Sequence, residues 1–545
     1  MSPGLLSAGL GSVPAAQTYL DISQGNRVFD SLYDEDLPPH IQGKICGPAF
    51  SRTVVERAES APADIEPGLL GLTLRQAGEE CRVESLTLEQ LAETVRALRG
   101  DDLLIAIERA PPQENHALAI GIAGRGYDGN LTSDSTRLDG YVLSTDVAPT
   151  ILRWLGAAVP SAMSGQPIRA EGKVDPAAVE SLGARMAVIS ERRGPVIGLS
   201  LLIWLVALGL AVAMTRGRAA RVGIKLVGLS VVYLPLVLLL GAALEPAQDV
   251  ELGILLLGAP ALAVLTAFLF QGYRALAIAA ATVVVAYAID AIASSPLTTL
   301  SLLGPNPALG VRFYGIGNEL EALLAVLVAA GTGAAIAGFA PRLSAGRCAV
   351  AFLSVGLIAA AIFAAGRFGA DVGAAIVFPI GAATAAAIVA RRRAAFLVIA
   401  APLAVLALIT FADLVSGANA HLTRSVLDAG GLDDLADVAQ RRLRLSAHSF
   451  TRPVVLFFLP LVAALAIVAV VRRDQLDRWL RGYPAMRAGL LGAVAATLVG
   501  TLANDSGALL LEIGAAYLLA FLGFAWSEKS ARDRAEPTRE IDYPC

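Results

Sequence analysis

Long apolar runs dominate the chain from residue 195 onward, and none occurs before it. A membrane-crossing helix needs about 20 mostly apolar residues, rising 1.5 Å each. Runs of that order lie at 195–214, 226–244, 252–270, 275–294, 320–339, 349–365, 370–390, 394–412, 453–471, 488–503 and 507–526, so the pattern predicts eleven helices. The runs 349–365 and 488–503 are short and must borrow flanking residues. Residues 1–193 instead break short apolar stretches with charge at ordinary soluble density, and read as an aqueous domain. The chain therefore divides into a globular domain over 1–193, a membrane region over 194–527 and a polar tail over 528–545.

Composition agrees with this division. The chain is 55% hydrophobic and 17% charged, with a mean hydropathy of +0.63, whereas soluble proteins carry about 25% charged residues. Basic residues then set the orientation. Alternate short loops hold fifteen Lys and Arg, from Arg216 to Arg487, and the four short loops between them hold only Arg312 and Arg367. The basic set marks the cytoplasm, so the domain over 1–193 is predicted outside a plasma membrane and the tail inside. Residues 1–25 show no charged segment followed by an apolar core. A domain this size does not cross a membrane unaided, so the gene start is expected to lie upstream. Net charge is −4 and no basic, aromatic-lined groove occurs, which speaks against nucleic acid as a partner. Cys46 and Cys81 could pair in an oxidising compartment or remain two buried thiols; Cys348 and Cys545 have no evident partner.

Within the outer domain, Asp102–Glu108 reads as a buried parallel strand with an acid at its carboxyl end, and Ala117–Gly124 as a second strand entering a Gly turn. Farther on come Thr145, Asp146, Ala148, Pro149, Thr150, Ile151, Leu152, Leu155, Gly156, Pro160, Met163 and Gly165. Here Asp146 is placed to cap a helix and Pro149 lies in its first turn. This spacing resembles the "T-D-x-A-P-T-I-L-x-x-L-G-x-x-x-P-x-x-M-x-G" segment of the alkaline phosphatase/sulfatase superfamily. The resemblance implies an α/β fold and a metal-dependent phosphoryl site. Glu108-Arg109 stands where that family carries an Asp-His metal pair, and its first metal strand has no counterpart. Such chemistry needs several Asp and His ligands, so the expectation is an incomplete phosphatase-like scaffold, a pseudo-phosphatase with no metal and no cofactor. The loop residues Thr132, Ser133 and Ser135 could hold a phosphate or sugar, but fit ordinary turn chemistry better.

Polar residues in or beside apolar helices are costly and so are candidates for function. Here they gather at the predicted outer mouths. Arg312, Gly315, Asn318, Glu319 and Glu321 open one helix, and two glycines with an Asn-Glu pair at a helix start favour anions. Gly366, Arg367, Gly369, Asp371 and Gly373 form a second corner, and Asn504, Asp505 and Gly507 a third. Asp290 and Glu512 lie inside spans. The long outer loop 413–452 reads as an amphipathic helix whose Arg441, Arg442 and His448 could grip lipid phosphates, or simply balance its acids in water.

Arg312, Gly315 and Asn318, then Gly366-Arg367-Phe-Gly-Ala, then the 413–452 loop, resemble the bacterial O-antigen ligase/polysaccharide polymerase family. Its patterns are "R-x-x-G-x-x-x-N" and "S-R-G-A". The Asn here comes one residue early, and the second motif has Gly for Ser and an inserted Phe. The resemblance implies a metal-independent glycan transferase at the outer leaflet. Arg312, Arg367, Arg441 and Arg442, with Asn318, Asp371, Asn504 and Asp505, would bind a polyprenyl-phosphate or pyrophosphate-linked glycan. Glu319 or His448 would be the base. Envelope-assembly proteins are the further expected partners. Two alternatives stand beside it. One is a transporter or flippase for such a lipid, with Asp290 and Glu512 as proton-coupling sites. The other is a membrane-anchored phosphatase run by the outer domain.

Overall fold

The computed structural model describes residues 1–9, 13–28, 45–61, 64–109, 117–214, 218–310, 312–391, 400–405, 407, 443, 446–451, 453–504 and 506–535. It separates into two compact units. One holds Met1–Glu191 together with Pro305–Tyr314; the other holds Arg192–Gly304 and the chain from Gly315 on. The segment 305–314, which sequence order puts among the helices, thus folds as part of the N-terminal unit.

That unit is built on β1 (Ser2–Ser7), β2 (Leu104–Ile107), β3 (Ala117–Ala123) and β5 (Tyr141–Leu143), in the order β2-β3-β1-β5. A short pair, β4 (Asn130–Thr132) with β6 (Arg169–Glu171), stands beside it. The β1 strand runs antiparallel to β3 and parallel to β5. The Asp102–Glu108 stretch is not the buried parallel strand expected. Its β2 pairs antiparallel with β3, lies at the sheet edge and is only half-buried. Antiparallel neighbours need only a short connection, and Glu108 continues the ladder by exchanging backbone and side-chain bonds with Ala119. The sheet is therefore mixed, with one parallel pair. Its core joins Leu6, Leu118, Ile120, Ile122 and Val142 to Ile22 and Val147, from helices α1 (Ala15–Gln24) and α5 (Val147–Trp154). Helices α2 (Arg52–Glu59) and α3 (Leu69–Ala77) also pack in this unit, while α4 (Leu88–Ala97) buries no residue. Cys46 and Cys81 form a disulfide, with Cα atoms 5.9 Å apart.

The second unit is a helix bundle. After α6 (Pro176–Met214), within which the division between units falls, come α7 (Arg218–Leu244), α8 (Gln248–Leu269), α9 (Tyr273–Ile292) and the short α10 (Pro296–Leu300). Then follow α11 (Asn318–Phe339), α12 (Ala345–Ala364) and α13 (Ala374–Val389). Last are α14 (Pro453–Val471), α15 (Arg473–Trp479), α16 (Pro484–Ala503) and α17 (Gly507–Ala535). Among the described residues seven helices are long and apolar enough to cross a membrane, or eight if α14 and α15, bent by 76°, count as one broken span. The run 370–390 yields a shorter helix than expected, because Gly369, Ala370 and Asp371 are used in a tight loop before Ala374. The span 394–412 and the loop 413–452 fall mostly outside the described residues.

Glycines let the central helices approach closely. A Cβ on Gly489 would stand 2.6 Å from the Ala329 carbonyl, and one on Gly492 2.4 Å from that of Gly381. With no hydrophobic drive between helices in lipid, such small-residue contacts supply packing energy. The bundle's outer surface is apolar instead: Phe268 is 84% and Phe457 77% exposed, which suits hydrocarbon rather than water.

Candidate functional site

The residues from Thr145 to Gly165 of the N-terminal unit have packing roles. Asp146 is buried and accepts four hydrogen bonds, from Ser133 Oγ (2.7 Å), Ser135 Oγ (2.6 Å), the Leu143 amide (3.0 Å) and the Gln166 amide (2.8 Å). It occupies the expected cap position of α5, yet its side chain turns away from the helix to tie three loops together. Burial pushes its carboxyl above the ordinary range, against the pull of those donors. Gly165 is required because a Cβ would lie 2.0 Å from the Thr145 carbonyl, and Met163 packs on Gly25. Ser133 and Ser135 are thereby spent on Asp146, and Thr132 on the Leu138 carbonyl. Glu108 is exposed, and among the described residues no three His, Cys, Asp or Glu side chains converge.

A polar cluster that sequence reasoning missed lies under α1. Gln17, Asp21 and Gln24 are fully buried, and both amides donate to Asp21 Oδ1, at 2.5 and 3.2 Å. Asp21 Oδ2 has no hydrogen-bond partner among the described residues. Arg57 donates to Gln17. Desolvation pushes the Asp21 carboxyl up to about 7, although Arg27, Gln17, Arg57 and Gln24 all pull it down. Arg27 also reaches the 305–314 segment. It donates to the Gly310 carbonyl at 2.8 Å and lies over the Phe313 ring. The segment is seated further by Tyr141 bonding the Pro307 carbonyl (3.3 Å), by Arg137 over Tyr314, and by Gly310, where a Cβ would meet the Gly9 carbonyl at 1.9 Å.

In the helix bundle, the three Gly-rich corners come together. The Ile316 amide donates to the Gly369 carbonyl at 3.0 Å, and a Cβ on Gly315 would stand 2.0 Å from that oxygen. Asn504 Nδ2 reaches Asn318 Oδ1 at 3.3 Å and Glu321 Oε2 at 2.9 Å. The Glu321 carboxylate is fully buried and lies against Gly373, where a Cβ would approach it to 2.3 Å. Asp371, also buried, accepts the Ala374 amide at 3.1 Å and closes the turn into α13. Carboxylates at the starts of α11 and α13 meet the positive ends of those helices, which favours their placement there. A fourth segment joins them. Ser446 donates to the Thr501 carbonyl (2.6 Å), and Ser449 Oγ accepts the Ala508 amide (3.0 Å) at the start of α17. The turn bearing His448 is therefore held beside the Asn504 corner, with His448 itself exposed.

The other predicted residues are distributed as follows. Glu319 lies 3.9 Å from Arg193, whose guanidinium also donates to the Leu302 (2.6 Å) and Gly304 carbonyls. Arg367 is exposed over its neighbour Phe368. Arg312 falls in the segment grouped with the N-terminal unit. Asp290 is buried and accepts the Leu297 and Thr298 amides at 3.0 and 2.8 Å, so it shapes the turn into α10. Arg441, Arg442 and Asp505 lie outside the described residues. Ser446, Ser449 and Arg193 were not singled out from sequence, and Glu321 was named there only among the residues that open the helix, with no role of its own. Its role beside Asn318 was within reach, since three residues after Asn318 is the same helix face.

Comparison with family models, curated proteins and solved structures finds no match to this chain.

Proposed function

We propose that the chain is a multi-pass plasma-membrane protein of eleven spans, with the N-terminal domain outside and the tail inside, that acts on a lipid-linked glycan at the outer leaflet. The observation that carries this reading is the convergence of the Gly315–Asn318, Gly366–Gly373 and Asn504–Gly507 corners at one end of the bundle. The fifteen-to-two division of basic residues assigns that end to the outside. The Cys46–Cys81 disulfide suits the same compartment. In this reading the corner seats the head of a polyprenyl-phosphate or pyrophosphate donor. Arg367, with Arg441 and Arg442, faces the phosphates, and Glu319 or His448 takes the acceptor proton during a metal-independent transfer.

Membranes from cells carrying Asn504→Ala or Arg367→Ala test this. Transfer from a polyprenyl-linked donor should fall at least tenfold, the scale of removing one charge-assisted contact worth about 1.4–3 kcal/mol, while donor collects on the outer leaflet. Donor collecting on the inner leaflet would favour a flippase instead, a reading supported by the 76° break between α14 and α15. Unchanged transfer and unchanged donor distribution would remove both.

A further inference from the structure

Acidic side chains within apolar helices need partners, because an unpaired ionised carboxylate is costly away from water. In the bundle most have them. Glu251 faces Arg192 at 3.4 Å, Glu319 faces Arg193, Glu321 accepts from Asn504, and Asp290 accepts two backbone amides. Glu512 differs. It is the sixth residue of α17, and the only acidic or basic side chain between Gly507 and Ser527. Its Oε1 is enclosed by protein and has no hydrogen-bond partner among the described residues.

Among the described residues, the elements packed against α17 supply no counter-charge, and His448, on the segment that touches the start of α17, is exposed. On α7, Lys225 is bonded to Glu528 at 2.7 Å, sixteen residues along α17 from Glu512 and so on the order of 24 Å away. Arg218 and Arg221 belong to that same end of α7. On α16 the last basic residue, Arg487, is paired with Asp477 at 2.7 Å. The α14 helix carries no charged residue, and the charges of α15 are exposed. The acids of α11 are engaged as described, and Tyr287 of α9 bonds the Pro235 carbonyl.

We propose that Glu512 is a proton-binding site within the membrane, a carboxyl that holds a proton on its enclosed oxygen and exchanges it there. This goes beyond the glycan reading and does not depend on it. The full chain in membranes can be treated with N,N′-dicyclohexylcarbodiimide, an apolar reagent for protonated carboxyls. The acid proton passes to a carbodiimide nitrogen as the carboxylate oxygen bonds the central carbon. The acyl group then moves from oxygen to nitrogen, leaving a stable N-acylurea with no group lost. Peptide mass spectrometry should find the adduct at Glu512, decreasing as pH is raised, and none at Asp290. The adduct should be lost in Glu512→Gln; should that variant not accumulate, Glu512→Asp should keep the pH-dependent adduct. Absence of an adduct at Glu512, a yield equal at every pH, or equal reaction with a water-soluble carbodiimide and glycine ethyl ester would overturn the proposal. None of these outcomes reads glycan transfer, so the two readings fail separately.

Discussion

Replacing Asp21 with Asn should stabilise the N-terminal unit above neutral pH and leave it unchanged in acid. The carboxyl is fully buried, and desolvation carries it from 3.8 up to about 7 in the folded chain. The folded-state value is the raised one, so the stability it contributes is fully present below pH 3.8. That contribution is lost as pH climbs through about 7. Raising a carboxyl's pKa by one costs its ionised form about 1.4 kcal/mol, so ionising Asp21 costs the folded unit about 4 kcal/mol by pH 8. Asn keeps the shape and the acceptor for Gln17 and Gln24 but carries no charge. It should therefore match the wild type near pH 4 and exceed it by about 4 kcal/mol at pH 8, the attraction to Arg27 and Arg57 being already included in the raised value. Pulse proteolysis of the full chain in urea, read on fragments of the N-terminal unit from pH 4 to 8, measures this difference. Two parallel stability curves over that range would refute the reasoning, since the Asp21 charge would then cost nothing.

Three further outcomes follow from the same unit. Asp146→Ala strands four donors and should cost at least about 3 kcal/mol by the same proteolysis; an effect under about 1 kcal/mol would mean that water replaces the carboxylate. Gly165→Ala drives a Cβ into the Thr145 carbonyl and should lower accumulation of folded protein, whereas Gly156→Ala, with nothing within 4 Å but a φ of +72°, should cost only about 1 kcal/mol. Cys81→Ser opens a link spanning 35 residues and should destabilise by about 2–4 kcal/mol, a loss that reductant reproduces in the wild type and not in the variant.

The apolar helices were legible because their signal is long: each run longer than sixteen residues within the described chain coincides with a helix, although α6 begins nineteen residues before 195, α7 eight before 226, and α17 continues nine past 526. The strand 104–107 was found in place but given the wrong partner geometry, since a short apolar run carries no sign of strand direction. The convergence of the Gly315, Gly369 and Asn504 corners was anticipated from their common side. The division between the two compact parts falls between Arg312 and Gly315, which sequence proximity gives no sign of. The Asp21 cluster was not visible at all. Gln17, Asp21 and Gln24 follow helical spacing, but such a polar stripe reads as a solvated face unless burial is known. One partner of the cluster is Arg57, forty residues along the chain from Gln17.

The membership of 305–314 in the N-terminal unit has a consequence for how the chain is made. Tyr141, Arg27 and Gly9 close on partners that are synthesised only after Glu191 and a series of apolar helices. At roughly 5–20 residues per second, the interval from Glu191 to Tyr314 is on the order of 6–25 s. During that time the nascent domain must wait, with its aromatic seat for Phe313 open, while the chain is threaded into the membrane. A fragment ending at Glu191 lacks the 305–314 segment and cannot complete the unit.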